Sequence, residues 1–294
     1  MIPRRPLRSL LFVPGSRPEF FVKAEASGAD ALVFDLEDAV APGMKGLARE
    51  RVAAELARRT QGLTFVRINH PERGELENDL AVLAPHAAQA VMAPKISGPD
   101  DLGELDERLA LHEQRAGLER DAIGVLVVIE TCLGLRNLFE TLRSFPRIRG
   151  AGLASAEQGD LMVELGGQWT PGGEALAYAR GKFVCEARAA RSPWLIDGAF
   201  MNLTDADALV REAGIGRVHG FTGKIAIHPR QVETLNRVFS PTATEVERAR
   251  DLLAAYRDAH MHGRGAVKVR GMMVDAANAR WAEQVLASAD DKVA

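Results

Sequence analysis

Eight short apolar runs recur along this chain: LRSLLFV, ADALVF, GLTFV, AVMA, GVLVVI, GAGLA, PWLI and KIAI. Asp35, Glu37, Asp38, Arg67, Lys95, Glu130, Asp160 and His228 fall at or just past their C-terminal ends, and helix-like sequence follows each run. Runs that are continuously apolar, rather than alternating, suit strands buried on both faces. Eight strand–helix units with their reactive groups at one end predict a (β/α)8 TIM barrel, whose active sites form at the C-terminal mouth of the strands. A doubly wound open sheet gives similar local patterns. The count of eight, with chemistry after nearly every strand, favours closure and makes an enzyme the first expectation.

A chain of 294 residues has room for such a barrel and something more. We expect a catalytic barrel over residues 1–240 and a C-terminal extension over 241–294. The extension reads as a long amphipathic helix, ATEVERARDLLAAYRDAHMHG, punctuated by Gly263 and Gly265. A strand-like AVKVRGMMVD and a last helix, ANARWAEQVLAS, follow. Extra chain of this kind serves as a lid, as an arm on a neighbouring subunit, or as a plain buttress.

The balance of 37 Lys+Arg against 40 Asp+Glu gives a net charge of −3 and no case for nucleic acid as a partner. No apolar segment approaches the length that crosses a bilayer, so no membrane partner is expected. Two cysteines, Cys132 and Cys185, form no Cys-x-x-Cys pattern and suggest a reducing, cytoplasmic setting. The N-terminal MIPRRPLRSLLFVPG reads as the first strand rather than a signal peptide, because its apolar run is brief and no small-residue cleavage pattern follows.

Glu130 in VVIET and Asp160 in SAEQGDL come from adjacent strand ends, and two such carboxylates can share one hard cation of the Mg²⁺ type. Alternatively, one of them caps the following helix. Arg67, in FVRIN, places a guanidinium where an oxyanion or carboxylate can be held, or else forms an ion pair with Glu37 or Asp38. Lys95 in APKIS is open to Schiff-base chemistry, though a salt bridge is the commoner fate. His228 fits a buttressing role better than that of a base, Asp35 is as readily structural as catalytic, and Asp197 is ambiguous. Beyond the first strand, Gly15, Ser16, Arg17, Phe20 and Lys23 open a helix and suit a phosphate, although the glycines match no P-loop or dinucleotide pattern.

Taken in order, LRSLLFVPGSRPEFFVKA, GADALVFDLEDAV with Lys45 and Arg49, FVRIN, APK, VVIET, GDLMVELG, IAIHPRQV and GRGAVKVRGMMVDA resemble the HpcH/HpaI aldolase and citrate lyase beta-subunit family along nearly the whole chain. That resemblance implies a TIM barrel, usually a homotrimer or dimer of trimers, acting on a CoA thioester such as malyl-CoA, citramalyl-CoA or citryl-CoA. It implies Mg²⁺ (or Mn²⁺) on Glu130 and Asp160, with Glu157 as the fallback because this chain reads SAEQGD where many relatives read GAED. Glu37, read from DLEDAV itself, is the best candidate to support the catalytic groups, whereas the resemblance gives Arg67 a place in the catalytic site and coenzyme A a path along Arg17, Phe20 and Lys23. It makes Asp275 an acid/base group delivered from an adjacent subunit, although Ala276 stands where relatives carry proline. The expected reaction is a carbon–carbon lyase step. A CoA-independent class II aldolase and a non-catalytic acyl-CoA-binding subunit are the alternatives.

Overall fold

The computed structural model describes residues 7–59, 62–83 and 89–290. The basic start of the chain lies outside the described residues, as do residues 84–87 of GELENDLAVLAPHA, the helix-like sequence expected after the third apolar run. Eight parallel strands close into a barrel in sequence order. They are β1 (Ser9–Pro14), β2 (Ala31–Asp35), β3 (Leu63–Arg67), β4 (Gln89–Ala93), β5 (Gly124–Ile129), β6 (Ile148–Leu153), β7 (Trp194–Asp197) and β8 (Gly223–Ala226). The joint is made by β1 against β8, where Leu10 pairs with Ile225.

Each strand separates two apolar clusters, and its period of two decides which side chain serves which. Leu10, Val33, Phe65, Met92, Leu126, Val128, Trp194 and Ile196 fill the lumen. The residues that alternate with them along each strand, such as Leu11, Phe34, Val66, Val91 and Leu195, pack outward under the helices. Asp35, Arg67 and Glu130 share the inward parity of Val33, Phe65 and Val128, so the pleat alone aims them into the mouth. Asp197 has the opposite parity and points into the helix layer.

There Asp197 is completely buried in a group of four charges. Its Oδ2 meets Lys224 Nζ at 2.9 Å and its Oδ1 meets Arg180 Nε at 3.2 Å; Glu212 approaches Arg180 Nη2 and Lys224 Nζ, each at 2.6 Å. Ser155 Oγ donates to Asp197 Oδ1 at 2.6 Å. Two anions and two cations cancel, which makes their burial tolerable. Asp197 is therefore structural.

Compact packing divides the chain into Met1–Phe239 and Ser240–Ala294. In the second unit, Thr242 and Glu245 form a reciprocal capping box at the start of the helix Ala243–Met261. This helix packs on the helix Ala276–Asp290 through Ala249, Leu253, Ala279 and Ala282. Between them, β9 (Val267–Val269) and β10 (Met272–Val274) form an antiparallel hairpin. Its two-residue turn, Arg270 (φ 45°) and Gly271 (φ 86°), has positive φ at both positions, matching the right-handed twist of a tight hairpin.

Candidate active site

The most ordered feature at the mouth is a guanidinium fork. Arg67 Nε donates to Asp35 Oδ1 at 2.8 Å and Nη2 to Asp35 Oδ2 at 2.6 Å. Phe12 lies under the guanidinium at 4.9 Å. Burial works against the Arg67 charge, but Asp35, then Glu37 and Glu130, outweigh it and hold the group charged above its ordinary value. Asp35 also accepts the amides of Glu37 at 2.8 Å and Ala39 at 3.1 Å. It is thus the rigid seat of both the arginine and the loop carrying Glu37 and Asp38. Of the two ion-pair partners expected for Arg67, Glu37 is the one that forms, with its Oε2 3.1 Å from Nη1, while Asp35 takes the fork and Asp38 turns to Lys95.

That loop is braced from behind by residues whose role was not assigned from the sequence. Lys45 Nζ donates to the carbonyls of Leu36 at 2.8 Å and Glu37 at 3.3 Å. Asn69 donates to Leu36 O at 3.1 Å and to Asp79 Oδ2 at 2.8 Å, and Asp79 receives Arg49 Nε at 2.8 Å. The available signal was the pairing of Lys45 and Arg49 one turn apart after β2; their partners Asn69 and Asp79 lie too far along the chain to be read from it.

Lys95 follows β4 and bonds Glu37 Oε1 at 2.8 Å and Asp38 Oδ2 at 3.2 Å. Burial favours a neutral amine, but the two carboxylates prevail and raise the ammonium above the usual lysine range. A Schiff-base nucleophile needs the reverse shift. Burial lifts Glu37 above the ordinary carboxylate range despite Arg67 and Lys95, whereas Asp38, against its own burial, is held below it by Lys95 and Arg67.

Glu130, buried at the end of β5, is pushed up to about 8 by burial, by a hydrogen bond with Asp160 and by the Glu37 charge. Asp160 is the first residue of the helix Asp160–Leu165 and is exposed; Gly159 is the cap position, and the Asp160 side chain makes no cap bond. Two carboxyl groups in hydrogen-bond contact either share a proton or receive a cation. The mouth gathers five carboxyl groups (Asp35, Glu37, Asp38, Glu130 and Asp160) against two cations, Arg67 and Lys95. Asp35, Glu37 and Asp38 are committed to the two cations, and no group of three or more such side chains among the described residues is arranged to hold a metal. Glu130 and Asp160 are therefore the oxygen donors left for a hard divalent ion, which takes one or two protein carboxylates. Glu157, the fallback ligand, is exposed.

Of the remaining residues, Arg17 is paired with Glu19 and stacks over Phe20 at 4.7 Å; Phe20 and Lys23 are exposed. The helical segment after β1 is a 3-10 turn, Pro18–Phe20, running into the five-residue helix Phe21–Glu25, too short for its terminus to hold a phosphate, so that part of the expectation is replaced by side chains alone. His228 accepts the Arg230 amide at 3.1 Å as the cap of the helix Pro229–Val238, the buttressing role expected of it. Asp275, on the second unit, accepts the amides of Ala277 at 2.8 Å and Asn278 at 3.3 Å and is exposed.

A closed parallel barrel with a seated guanidinium and an acidic oxygen cluster at its C-terminal mouth defines a (β/α)8 enzyme with its chemistry at the strand ends. More narrowly, the chain belongs to the HpcH/HpaI aldolase/citrate lyase family, whose pattern matches residues 8–229. A second family, the C-C bond lyases of the TIM-barrel fold, matches residues 181–291. A (3S)-malyl-CoA thioesterase of Cereibacter sphaeroides is 34% identical over 97% of this chain and 95% of its own length. The mitochondrial citramalyl-CoA lyase of Mus musculus is 31% identical over 96% of this chain and 85% of its own. The crystal structure of CitE from Mycobacterium tuberculosis, in complex with magnesium, acetoacetate and coenzyme A, superposes with a TM-score of 0.77 at 26% identity, covering 98% of this chain and 99% of that one.

Proposed function

We propose that this protein is a Mg²⁺-dependent carbon–carbon lyase that cleaves, or in reverse forms, a hydroxyacyl-CoA thioester such as malyl-CoA, citramalyl-CoA or citryl-CoA. The observation that carries the reading is the Arg67–Asp35 fork in the same mouth as the Glu130–Asp160 pair. Glu130 and Asp160 would hold the ion. When bound, it supplies a positive charge for the acyl carboxylate and polarises the neighbouring oxygen.

The chain's own residues do the rest. Asp275, presented by a second copy, accepts the hydroxyl proton. The bond between the carbinol carbon and the thioester α-carbon then breaks, and its electron pair passes into the thioester enolate. Arg67, unable to move off Asp35, faces the growing negative charge with donors already oriented. Glu37 limits where the guanidinium can turn. The enolate takes a proton at carbon and leaves as the shorter acyl-CoA. Arg17, Phe20 and Lys23 are the assigned contacts for coenzyme A. The second unit, as lid or arm, is assigned to a homotrimer or a dimer of trimers, and the setting is cytoplasmic.

Hydrolysis of the thioester is a second reading, favoured by the name of the Cereibacter relative. One assay separates the two. With Mg²⁺ and malyl-, citramalyl-, β-methylmalyl- or citryl-CoA, a lyase releases a 2-oxo acid and a shorter acyl-CoA, whereas a thioesterase releases the intact hydroxy acid and free CoA. Release of free thiol without any oxo acid rejects the lyase. Cleavage of free acids with no response to CoA favours the aldolase instead.

A further inference from the structure

Lys95 has no place in the chemistry proposed above, yet it touches three of the five carboxyl groups at the mouth. Its ammonium reaches Glu37 at 2.8 Å and Asp38 at 3.2 Å, and its backbone amide donates to Glu130 Oε1 at 3.3 Å. It does so from the left-handed region, at φ 57°. That conformation is unfavourable for a residue bearing a Cβ, and glycine adopts it freely. A strained non-glycine residue at a site is worth a functional account. Here the turn of the chain sends amide and side chain to different acids. The next amide, of Ile96, is already committed to Val128 O at 3.2 Å.

Glu37 shows what the ammonium prevents. Oε1 is taken by Lys95, while Oε2 is buried 3.1 Å from Arg67 Nη1 without forming a hydrogen bond. Asp35 already occupies Nε and Nη2 of the arginine. Without Lys95, the Glu37 carboxylate is free to rotate onto Nη1 and use up the remaining edge of the guanidinium. We propose that Lys95 is a positioning residue: its ammonium restrains Glu37 and Asp38 so that Arg67 keeps a free edge for substrate, and its left-handed backbone orients Glu130.

The consequence for turnover rests on the lyase reading; the restraint itself does not. Lys95→Gly keeps the backbone conformation and the amide but deletes the ammonium, Lys95→Met keeps the length without the charge, and Lys95→Arg returns a charge. The expected result is a fall in kcat of about 10²-fold in the Gly and Met variants, the scale of a small misplacement of a catalytic group. KM and Mg²⁺ affinity stay near wild type in Lys95→Gly, and Lys95→Arg retains more turnover than Lys95→Met. Added methylammonium or ethylammonium raises the rate of Lys95→Gly and leaves wild type unchanged, which a merely structural lysine would not produce. A crystal structure of Lys95→Gly shows Glu37 turned onto Arg67.

Wild-type kcat in both neutral variants overturns the proposal, as does Glu37 unmoved in the Lys95→Gly crystal structure. If wild type cleaves none of the thioesters, the lyase reading fails instead, and the crystal structure still decides the restraint.

Discussion

Arg67 owes its usefulness to a neighbour that does no chemistry. Held at two nitrogens by Asp35, it meets developing charge without reorganising, the circumstance in which a fixed donor counts most. Removing such a group commonly costs about 10²–10³ in rate, so Arg67→Ala and Glu130→Ala are each expected to lose at least that much turnover while circular dichroism stays native. Wild-type rates in both would remove the mechanism. Glu130 adds a pH signature. Its folded value, near 8, lies above that of an unfolded glutamate, so the metal-free fold binds the extra proton and loses stability as pH rises toward 8. Mg²⁺ must displace that proton, so the rise in Tm on adding Mg²⁺ should grow between pH 6 and pH 9. Glu130→Gln should abolish both trends; a Tm increment that ignores pH would contradict the shared-proton picture.

At the scale of elements, the strands were plain in the sequence because most are continuous apolar runs, and the position of Asp35, Arg67 and Glu130 at their ends marked the mouth. What the sequence did not carry was partner choice. Nothing local says that Arg67 prefers Asp35 to Asp38, or that Asp197, at a strand end like Asp35, points outward; one residue of parity separates the roles. The support of the Glu37 loop by Asn69 and Asp79 depends on contacts between the second and third units of the barrel. RPEFFVKAEASGA has helical spacing and folds as a short helix, a 3-10 turn over Pro18–Phe20 running into Phe21–Glu25. The glycine before it has a physical reason. A Cβ on Gly15 would lie 2.9 Å from both Asp35 O and Val52 Cγ2, between the ends of β1 and β2. Gly15→Ala should therefore cost about 1–3 kcal/mol by urea denaturation, and the displaced Asp35 should lower kcat as well. An unstrained, fully active alanine variant would show that β2 is not seated from this side.

For the whole molecule, the assignment of Asp275 to a neighbouring copy makes a prediction that no single chain can satisfy. Arg67→Ala and Asp275→Ala should each be nearly inactive alone, yet mixing them under conditions that exchange subunits should restore part of the activity. Some sites in a mixed oligomer then receive an intact arginine from one copy and an intact aspartate from another. Mixtures as inactive as their components would confine each site to one chain.

The four buried charges around Asp197 also bear on how the molecule comes into being. A ribosome delivers Arg180, Asp197 and Glu212 before Lys224. A nascent chain that has not reached its eighth strand therefore holds two carboxylates against one guanidinium, an imbalance that low-dielectric surroundings punish. The final strand brings the missing positive charge along with its hydrogen bonds, so an almost finished ring gains little by closing early, and commitment waits until synthesis has passed residue 224.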